Sequence, residues 1–198
     1  MLPKNMIIVS QYDISFNNKT GVFVKSREKS VCPVCDSKLR SRDSRLRKVI
    51  REDGTSIHVR IRRLRCDRCC KLHSELPDFI QPRKQHEVKT IQAALEHKAD
   101  CITEESTIRR WRREFQLKRE QINGILTSIW SRETGRHWNI LSAFSLLDTI
   151  METMDNWLAF VNRTIANRGF GTYTQFVFCP SDDCATLSSS LQRKGQSP

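Results

Sequence analysis

Residues 32–35 read Cys-Pro-Val-Cys and residues 66–69 read Cys-Asp-Arg-Cys, which makes two Cys-x-x-Cys knuckles separated by thirty residues. Two residues between a pair of cysteines allow a tight turn that points both sulfurs at one ion, and two such turns complete a tetrahedron. The pattern therefore predicts a structural Zn²⁺ site, with iron as the alternative metal on the same sulfurs. The predicted ligands are Cys32, Cys35, Cys66 and Cys69.

Other chemistries for these cysteines fit the rest of the chain less well. Residues 1–11 hold only four consecutive apolar residues, too few for the core of a signal peptide, so the disulfide framework of a secreted protein is disfavoured. A redox Cys-x-x-Cys would not need two copies. Cys70 and His73 stand just beyond the second knuckle, and either could replace Cys69 as a ligand, although the pairing of Cys66 with Cys69 is favoured.

The residues between the knuckles predict a β-hairpin. Arg45–Ile50 reads as a strand, and the Asp-Gly at residues 53–54 is a strong signal for a hairpin turn. Apolar and basic residues then alternate with period two, which is typical of a strand with one buried face. The apolar members are Ile57, Val59 and Ile61, and the basic members are His58, Arg60 and Arg62. A hairpin with a metal knuckle at its base is a zinc ribbon, and its candidate DNA contacts are Arg60, Arg62 and Arg63.

The excess of basic residues is concentrated near the knuckles. The 198-residue chain has a formal net charge of +12, from 34 Lys and Arg against 22 Asp and Glu. Residues 25–71 contribute +10, whereas residues 121–198 sum to zero. This clustering predicts DNA or another nucleic acid as partner, with a basic face that serves only solubility as the alternative. No apolar run is long enough to span a bilayer, so we expect no membrane partner and a cytoplasmic, nucleoid-associated protein.

The chain after the hairpin predicts a helix-turn-helix. Residues 86–98 carry apolar residues at helical spacing, and Thr103 is the predicted N-cap of the following helix. That second helix places Ile108, Trp111 and Phe115 on one face, and the second helix of such a unit enters the major groove of DNA. Its candidate DNA contacts are Ser106, Thr107, Arg109, Arg110, Arg112 and Arg113. Arginines that are only solvated are the alternative interpretation.

The C-terminal half predicts two further helices. Leu117–Trp130 reads as one helix, Ser131–Gly135 as a turn, and residues 140–165 as a long helix with an unbroken heptad pattern. The heptad positions are Ile140, Phe144, Leu147, Met151, Met154, Leu158, Val161 and Ile165. This wide apolar stripe fits either a helical hairpin within the chain or a homodimer through residues 137–166, which would join two DNA-binding units.

Three carboxylates, Asp148, Glu152 and Asp155, lie at i, i+4 and i+7 in this segment. Metal-dependent recombinases use three carboxylates, but they draw them from different elements of a mixed sheet domain, for which the chain shows no adequate strand-rich stretch. A solvated helix face is the better interpretation. The chain is therefore predicted not to be an enzyme by itself.

The last residues, 170–198, carry few signals. Tyr173–Phe178 is a short strand candidate, and the pair Cys179 and Cys184 lacks a third ligand nearby. The Ser-rich end is expected to be disordered.

Residues 30–117 resemble a known pattern. The knuckles are followed by His-Ser-Glu-Leu-Pro at 73–77 and by Ser-Thr-Ile-Arg-Arg-Trp-Arg-Arg at 106–113. Together these motifs resemble an uncharacterised bacterial transposase-associated family with an N-terminal four-cysteine zinc ribbon and a helix-turn-helix. The resemblance implies binding to transposon-end DNA, with a transposase or integrase as a partner protein, and it does not extend beyond residue 120.

The chain is therefore predicted to have an α+β fold, with a small β zinc ribbon followed by a helix-turn-helix and a C-terminal helical hairpin. The expected divisions are a ribbon with flanking strands at 1–82, a helix-turn-helix at 83–120, a hairpin or dimerisation region at 121–169 and a tail at 170–198. The predicted function is zinc-dependent DNA binding for a mobile genetic element. The alternatives are the DNA-binding part of a split or truncated transposase and an RNA-binding zinc-ribbon protein.

Overall fold

The computed structural model describes residues 5–17, 21–98, 101–136 and 145–170, which form an α+β fold with a curled six-stranded sheet and four α-helices. The strands are β1 (Asn5–Val9), β2 (Tyr12–Asn17), β3 (Gly21–Ser26), β4 (Leu39–Ile50), β5 (Ser56–Cys66) and β6 (Leu72–Pro77). The helices are α1 (Val88–Leu95), α2 (Glu105–Thr134), α3 (Leu146–Thr153) and α4 (Trp157–Ile165), and α4 continues into a π-helical turn at Ala166–Phe170. The predicted α+β class is confirmed.

The predicted hairpin between the knuckles is confirmed as β4 and β5. The two strands pair antiparallel from Ile50 opposite Ser56 to Leu39 opposite Cys66. Gly54 has a positive φ of 79° in the connecting turn, a conformation that glycine adopts without a steric penalty. β4 begins six residues before the predicted strand, because its ladder with β5 continues past a bulge between Ser41 and Asp43 down to the second knuckle.

The other strands extend the sheet from β5. The order is β1-β6-β5-β3-β2, with β4 paired to β5 beside this path. β1 pairs parallel with β6, and β3 pairs parallel with β5. The predicted apolar face of β5 is confirmed, since Val59 and Ile61 are fully buried. They belong to a core cluster with Met6, Ile8, Val22, Val49, Leu76, Ile80 and Ala166.

A second core lies between the helices. The predicted apolar face of the second helix is confirmed, because Ile108, Trp111 and Phe115 are all buried in this core. Their neighbours include Trp157 of α4, whose ring centroid lies 5.6 Å from that of Phe115. Among the described residues, no helix is both long and apolar enough to cross a membrane.

The division of the chain around residue 117 was predicted wrongly. Residues 105–134 form the single 30-residue helix α2, so neither a separate helix at Leu117–Trp130 nor a turn from Ser131 exists. Residues 116–120 are all strong helix formers and contain no Gly or Pro, so nothing interrupts the backbone hydrogen bonds there. The helix ends instead at Gly135, which caps it in the left-handed conformation with φ 65°.

The predicted continuous helix at 140–165 is also wrong within the described residues. Met154 is extended, with φ −124° and ψ 119°, and it ends α3, while Asn156 precedes α4. Asp155 and Asn156 have low helix propensity because their side chains compete for backbone hydrogen bonds. The heptad residues Ile140 and Phe144 lie outside the described residues, as do the strand candidate at 173–178 and the pair Cys179 and Cys184.

Candidate metal centre

The four predicted ligands converge at the base of the β4–β5 hairpin. The sulfurs of Cys32, Cys35, Cys66 and Cys69 all lie within 4.8 Å of one another. Cys32 Sγ is 3.6 Å from Cys69 Sγ, and Cys35 Sγ is 3.5 Å from Cys66 Sγ. A tetrahedral ion with metal–sulfur bonds of ~2.3 Å holds its sulfurs ~3.8 Å apart, so the cluster has the size of a four-thiolate metal site.

The two knuckles share one backbone conformation. The Cys32 N–H donates to the Ser37 carbonyl at 3.0 Å, and the Cys66 N–H donates to the Lys71 carbonyl at 2.9 Å. In each knuckle the residue after the second cysteine is left-handed, with φ 53° at Asp36 and φ 55° at Cys70. The repeated turn explains why sequence spacing alone predicts the site, since both knuckles aim two sulfurs inward by the same local geometry.

This conformation distinguishes the ligands from their neighbours. Cys70 occupies the left-handed turn position and is exposed, whereas Cys69 points into the cluster. His73 is fully buried, and its Nε2 lies 3.4 Å from Cys32 Sγ. The ring is therefore placed to donate a hydrogen bond to a thiolate from outside the set of four sulfurs. Among the described residues, no second group of three or more metal-binding side chains converges.

Without a metal, the protein places its cysteines in unequal electrostatic environments. Burial raises the pKa of the Cys32 thiol to about 12. Hydrogen bonds from Ser37, the backbone N–H foremost, lower the pKa of Cys35 to about 6. A divalent cation stabilises thiolates at both positions and therefore releases protons when it binds. The burial of Cys32 is thus compatible with a metal site, because the charge that burial disfavours is neutralised by the ion.

Two of the predicted DNA contacts on the hairpin form ion pairs within the protein. Arg62 makes a bidentate pair with the buried carboxylate of Glu75, at 2.8 and 2.9 Å. Arg63 makes a bidentate pair with Asp43 across the β4–β5 ladder. Arg60 lies over the ring of Phe23, with Cζ 5.2 Å from the ring centroid.

The predicted contacts on α2 are more accessible. Arg109, Arg110 and Arg113 are exposed, as is Ser106, and Thr107 is half-buried. Arg109 lies 3.4 Å from Glu105, one turn earlier on the same helix. Arg112 has a different role, since its Nε donates to the Ala94 carbonyl at 2.7 Å and so ties α2 to the end of α1.

The carboxylates of Asp148, Glu152 and Asp155 and the sulfur of Cys101 either contact neighbouring helices or are exposed to solvent. The Asp148 backbone N–H donates to the Oγ of Ser145, the N-cap of α3, at 3.1 Å, and the Asp148 carboxylate forms an ion pair with Arg119 of α2. Glu152 and Asp155 are exposed. Cys101 lies near α1, with its sulfur 3.6 Å from the Thr90 carbonyl.

A second group of basic residues was missed by the sequence prediction. Arg45, Arg47 and Lys48 of β4 line the same cavity, of about 400 Å³, as Arg83 and Lys84. The only sequence signal is the pair of short basic runs, 45–48 and 83–84, separated by more than thirty residues. Nothing in either run indicates that the fold brings them together.

The match to known families covers part of this region. A domain of unknown function (DUF6431) matches residues 32–111. The matched segment starts at the first cysteine of the cluster and ends at the buried Trp111, and it spans fewer than half of the 198 residues. No curated protein and no solved structure matches the chain.

Proposed function

We propose that the protein is a zinc-dependent DNA-binding protein. Four cysteine sulfurs without an oxygen ligand form a closed set, and such a set is typical of structural zinc rather than of catalytic zinc, which keeps an open position. Bound there, the ion would join the base of the hairpin to the loop at residues 32–35. In this position the ion would act as a cross-link between the two knuckles.

The exposed arginine face of α2 is the observation that carries the proposed DNA binding. Ile108, Trp111 and Phe115 anchor the first turns of the helix in the core, so Arg109, Arg110 and Arg113 are held outward on a rigid backbone. α1 packs against α2 and precedes it by a connection of nine residues, 96–104, which is longer than the usual turn of a helix-turn-helix. We propose that these two helices act as a helix-turn-helix, with the start of α2 as the reading helix.

Local charge supports an anionic partner. Residues 25–71 carry a formal +10, and four thiolates with one Zn²⁺ sum to −2, which leaves about +8 on the metal-bound segment. Phosphate contacts account for most non-specific affinity for DNA and make that affinity fall as salt rises. A strongly basic module beside an exposed arginine helix is suited to both non-specific and specific contacts.

The biological setting follows from the resemblance of residues 30–117 and is proposed on that basis alone. In it the protein binds the ends of a mobile genetic element or assists transposition, with a transposase or integrase supplying the catalysis. Dimerisation through 137–166 would place two copies on a repeated site. Of the heptad residues described, Leu147, Leu158, Val161 and Ile165 are buried within the chain, so a dimer would use other surfaces of these helices.

Selection from random nucleic-acid pools tests the proposal. The zinc-loaded full chain is incubated with a random double-stranded DNA pool and, separately, with a random RNA pool, each with and without a chelator. We expect enrichment of a DNA motif that is lost when the metal is removed. The Cys70→Ser variant serves as a control and should enrich the same DNA motif, because it removes an exposed cysteine outside the cluster.

Each of the other possible outcomes contradicts one part of the proposed function. Enrichment from the RNA pool alone would replace DNA with RNA as the partner. Enrichment that persists in the metal-free protein would separate DNA binding from zinc. No enrichment from either pool, with the metal bound, would overturn sequence-specific binding of nucleic acid.

A further inference from the structure

The free edge of β4 borders a cavity whose charged lining residues, within the described part of the chain, are all basic. β4 pairs only with β5, so among the described residues its other edge is not covered by a strand over most of its length. A cavity of about 400 Å³ opens there, and its basic lining residues are Arg45, Arg47, Lys48, Arg83 and Lys84. No acidic side chain of the described residues lines it. We call this cavity the basic groove.

The loop at residues 81–87, which borders the groove, is anchored to β4 by backbone hydrogen bonds. The Ile50 N–H donates to the Gln85 carbonyl at 2.7 Å, and the Glu87 N–H donates to the Ile50 carbonyl at 3.0 Å. Arg47 adds two further bonds, from Nη2 to the carbonyls of Gln81 and Lys84, at 2.7 and 2.6 Å. The backbones that carry the basic residues of β4 and of the loop are therefore held at a defined separation, and the Arg47 guanidinium is fixed between them.

The charges in the groove are only partly compensated within the protein. Lys84 forms an ion pair with Glu114 of α2 at 2.7 Å. Arg45 and Lys48 are exposed and form no ion pair or side-chain hydrogen bond with the described residues. Burial, with a smaller contribution from nearby Arg45, lowers the pKa of Arg47 to about 10. The half-buried Arg47 guanidinium bonds to neutral carbonyls only, so an anion in the groove would offset the cost of its burial.

The groove adjoins the arginine face of α2. The ion pair of Lys84 with Glu114 and the edge-on contact of the His86 and Trp111 rings, with centroids 4.9 Å apart, place α2 against the loop. Arg110 lies one turn before Glu114 on that helix. The groove and the exposed start of α2 thus form neighbouring parts of one basic surface.

We propose that the basic groove binds phosphate groups and that, in the proposed function, these belong to the DNA backbone next to the bases read by α2. Its arginine and lysine side chains supply donors suited to phosphate oxygens, and the polar residues Ser74 and Gln85 also line the groove. The groove would fix the position of the duplex while α2 contacts base edges. This inference rests on the proposed DNA binding but adds a site of its own.

The double variant Arg45→Gln/Lys48→Gln tests the groove without disturbing its anchor. Neither side chain has a partner among the described residues, whereas Arg47 holds two carbonyls and is left intact. Lys25→Gln/Lys29→Gln is the matched control, since it removes two exposed lysines away from the groove. Metal content and thermal midpoint without added phosphate verify folding, and the two single variants replace the double variant if its midpoint falls.

Two measurements are made on each zinc-loaded full chain. Affinity for a short DNA duplex is measured by fluorescence anisotropy over a range of salt concentrations. We expect the groove variant to lose about tenfold or more in affinity and its salt slope to shrink by ~1.8, while the control variant changes less. In the second measurement, tripolyphosphate should raise the Tm of the wild type and not that of the groove variant.

The two measurements separate failure of the groove from failure of the proposed function. If the wild type binds the duplex and the groove variant has the same affinity and slope, the groove inference is overturned while DNA binding stands. If the wild type binds no duplex, the proposed function fails. A tripolyphosphate shift that needs Arg45 and Lys48 would then assign the groove to free polyphosphate, and the lack of any shift would overturn the groove as well.

Discussion

The side-chain amide of Asn167 pairs with the backbone of Ile8, 159 residues earlier in the chain. Asn167 Oδ1 accepts from the Ile8 N–H at 2.9 Å, and Asn167 Nδ2 donates to the Ile8 carbonyl at 2.8 Å. β1 pairs with β6 on one side only, so the amide satisfies two groups on its other edge in the way that a further strand would. The turn after α4 is thereby joined to the first strand of the sheet.

Replacing Asn167 with Ala should destabilise the protein. Ile8 is 1% exposed, so its N–H and carbonyl would be left buried and unsatisfied, at a cost of about 1–3 kcal/mol for each group. Asn156→Ala is the control, because the Asn156 side chain makes no capping hydrogen bond at the start of α4. Urea unfolding of both variants measures the difference, and equal free energies of unfolding would show that the amide contributes nothing.

Replacing Cys66 with Ser should abolish metal binding and unfold residues 30–80. Cys66 contributes one of the four converging sulfurs and ends the β4–β5 ladder, so its loss removes both a ligand and the closure of the hairpin. Cys70→Ser should keep the metal and the fold. Metal analysis after dialysis, together with thermal unfolding, distinguishes the two variants. A Cys66→Ser protein that retains one ion per chain and the wild-type Tm would contradict the assigned ligands.

Replacing Trp157 with Ala should cost about 3–5 kcal/mol, because a fully buried indole leaves a cavity that the helices fill only in part. Trp157 also donates from Nε1 to Glu96 at 2.7 Å, which links α4 to the end of α1. Trp157→Phe keeps most of the volume and should lose less. Trp130→Ala, at a residue 40% exposed on α2, is the comparison for truncation at the surface. Chemical denaturation orders the three, and similar losses for Trp157→Ala and Trp130→Ala would contradict the helical core described above.

Acid should destabilise the protein in part through His86. Burial, reinforced by repulsion from Arg110, lowers the pKa of His86 below its usual 6.5. Between the folded and unfolded pKa values the unfolded chain binds more protons, so the free energy of unfolding falls as pH falls below about 6.5. The wild type should therefore lose stability more steeply than His86→Gln over that range. Parallel slopes in pH-dependent denaturation would refute this contribution.

Replacing Arg109 and Arg113 with Gln should weaken DNA binding. Both side chains are exposed on the first turns of α2, and loss of two phosphate contacts would reduce the salt slope by ~1.8. Lys25→Gln/Lys29→Gln has the same change in charge and again serves as the control. Unchanged affinity in anisotropy measurements would move the contact surface from α2 to the β4–β5 hairpin.

The features that were predictable from sequence are those with local causes. The Cys-x-x-Cys spacing defines a turn in which both sulfurs point the same way, and the Asp-Gly turn with alternating residues after it defines a hairpin. The helical spacing of Ile108, Trp111 and Phe115 likewise predicted the buried face of α2. Each of these depends on residues close together in the chain, whose geometry is limited by the backbone itself.

Helix boundaries were less predictable. The helix formers around residue 117 permit one long helix, and packing of Ile122, Ile125 and Ile129 into the same core as Phe115 stabilises it. The heptad pattern through residue 154 suggested a single helix. There the chain turns between α3 and α4, and both helices then pack against α2.

By itself, the sequence determined the four-cysteine cluster, the hairpin between its knuckles and the position of the basic charge along the chain. Tertiary structure decided which of those charges remain available to contact a partner and which are paired within the protein. Arg62 and Arg63 are paired with Glu75 and Asp43, which lie 13 and 20 residues away in sequence, while Arg45 and Lys48 line the same cavity as Arg83 and Lys84. The physical reason is that a charge interacts with whatever the fold brings within a few ångströms of it, and sheet pairing sets those neighbours independently of sequence separation.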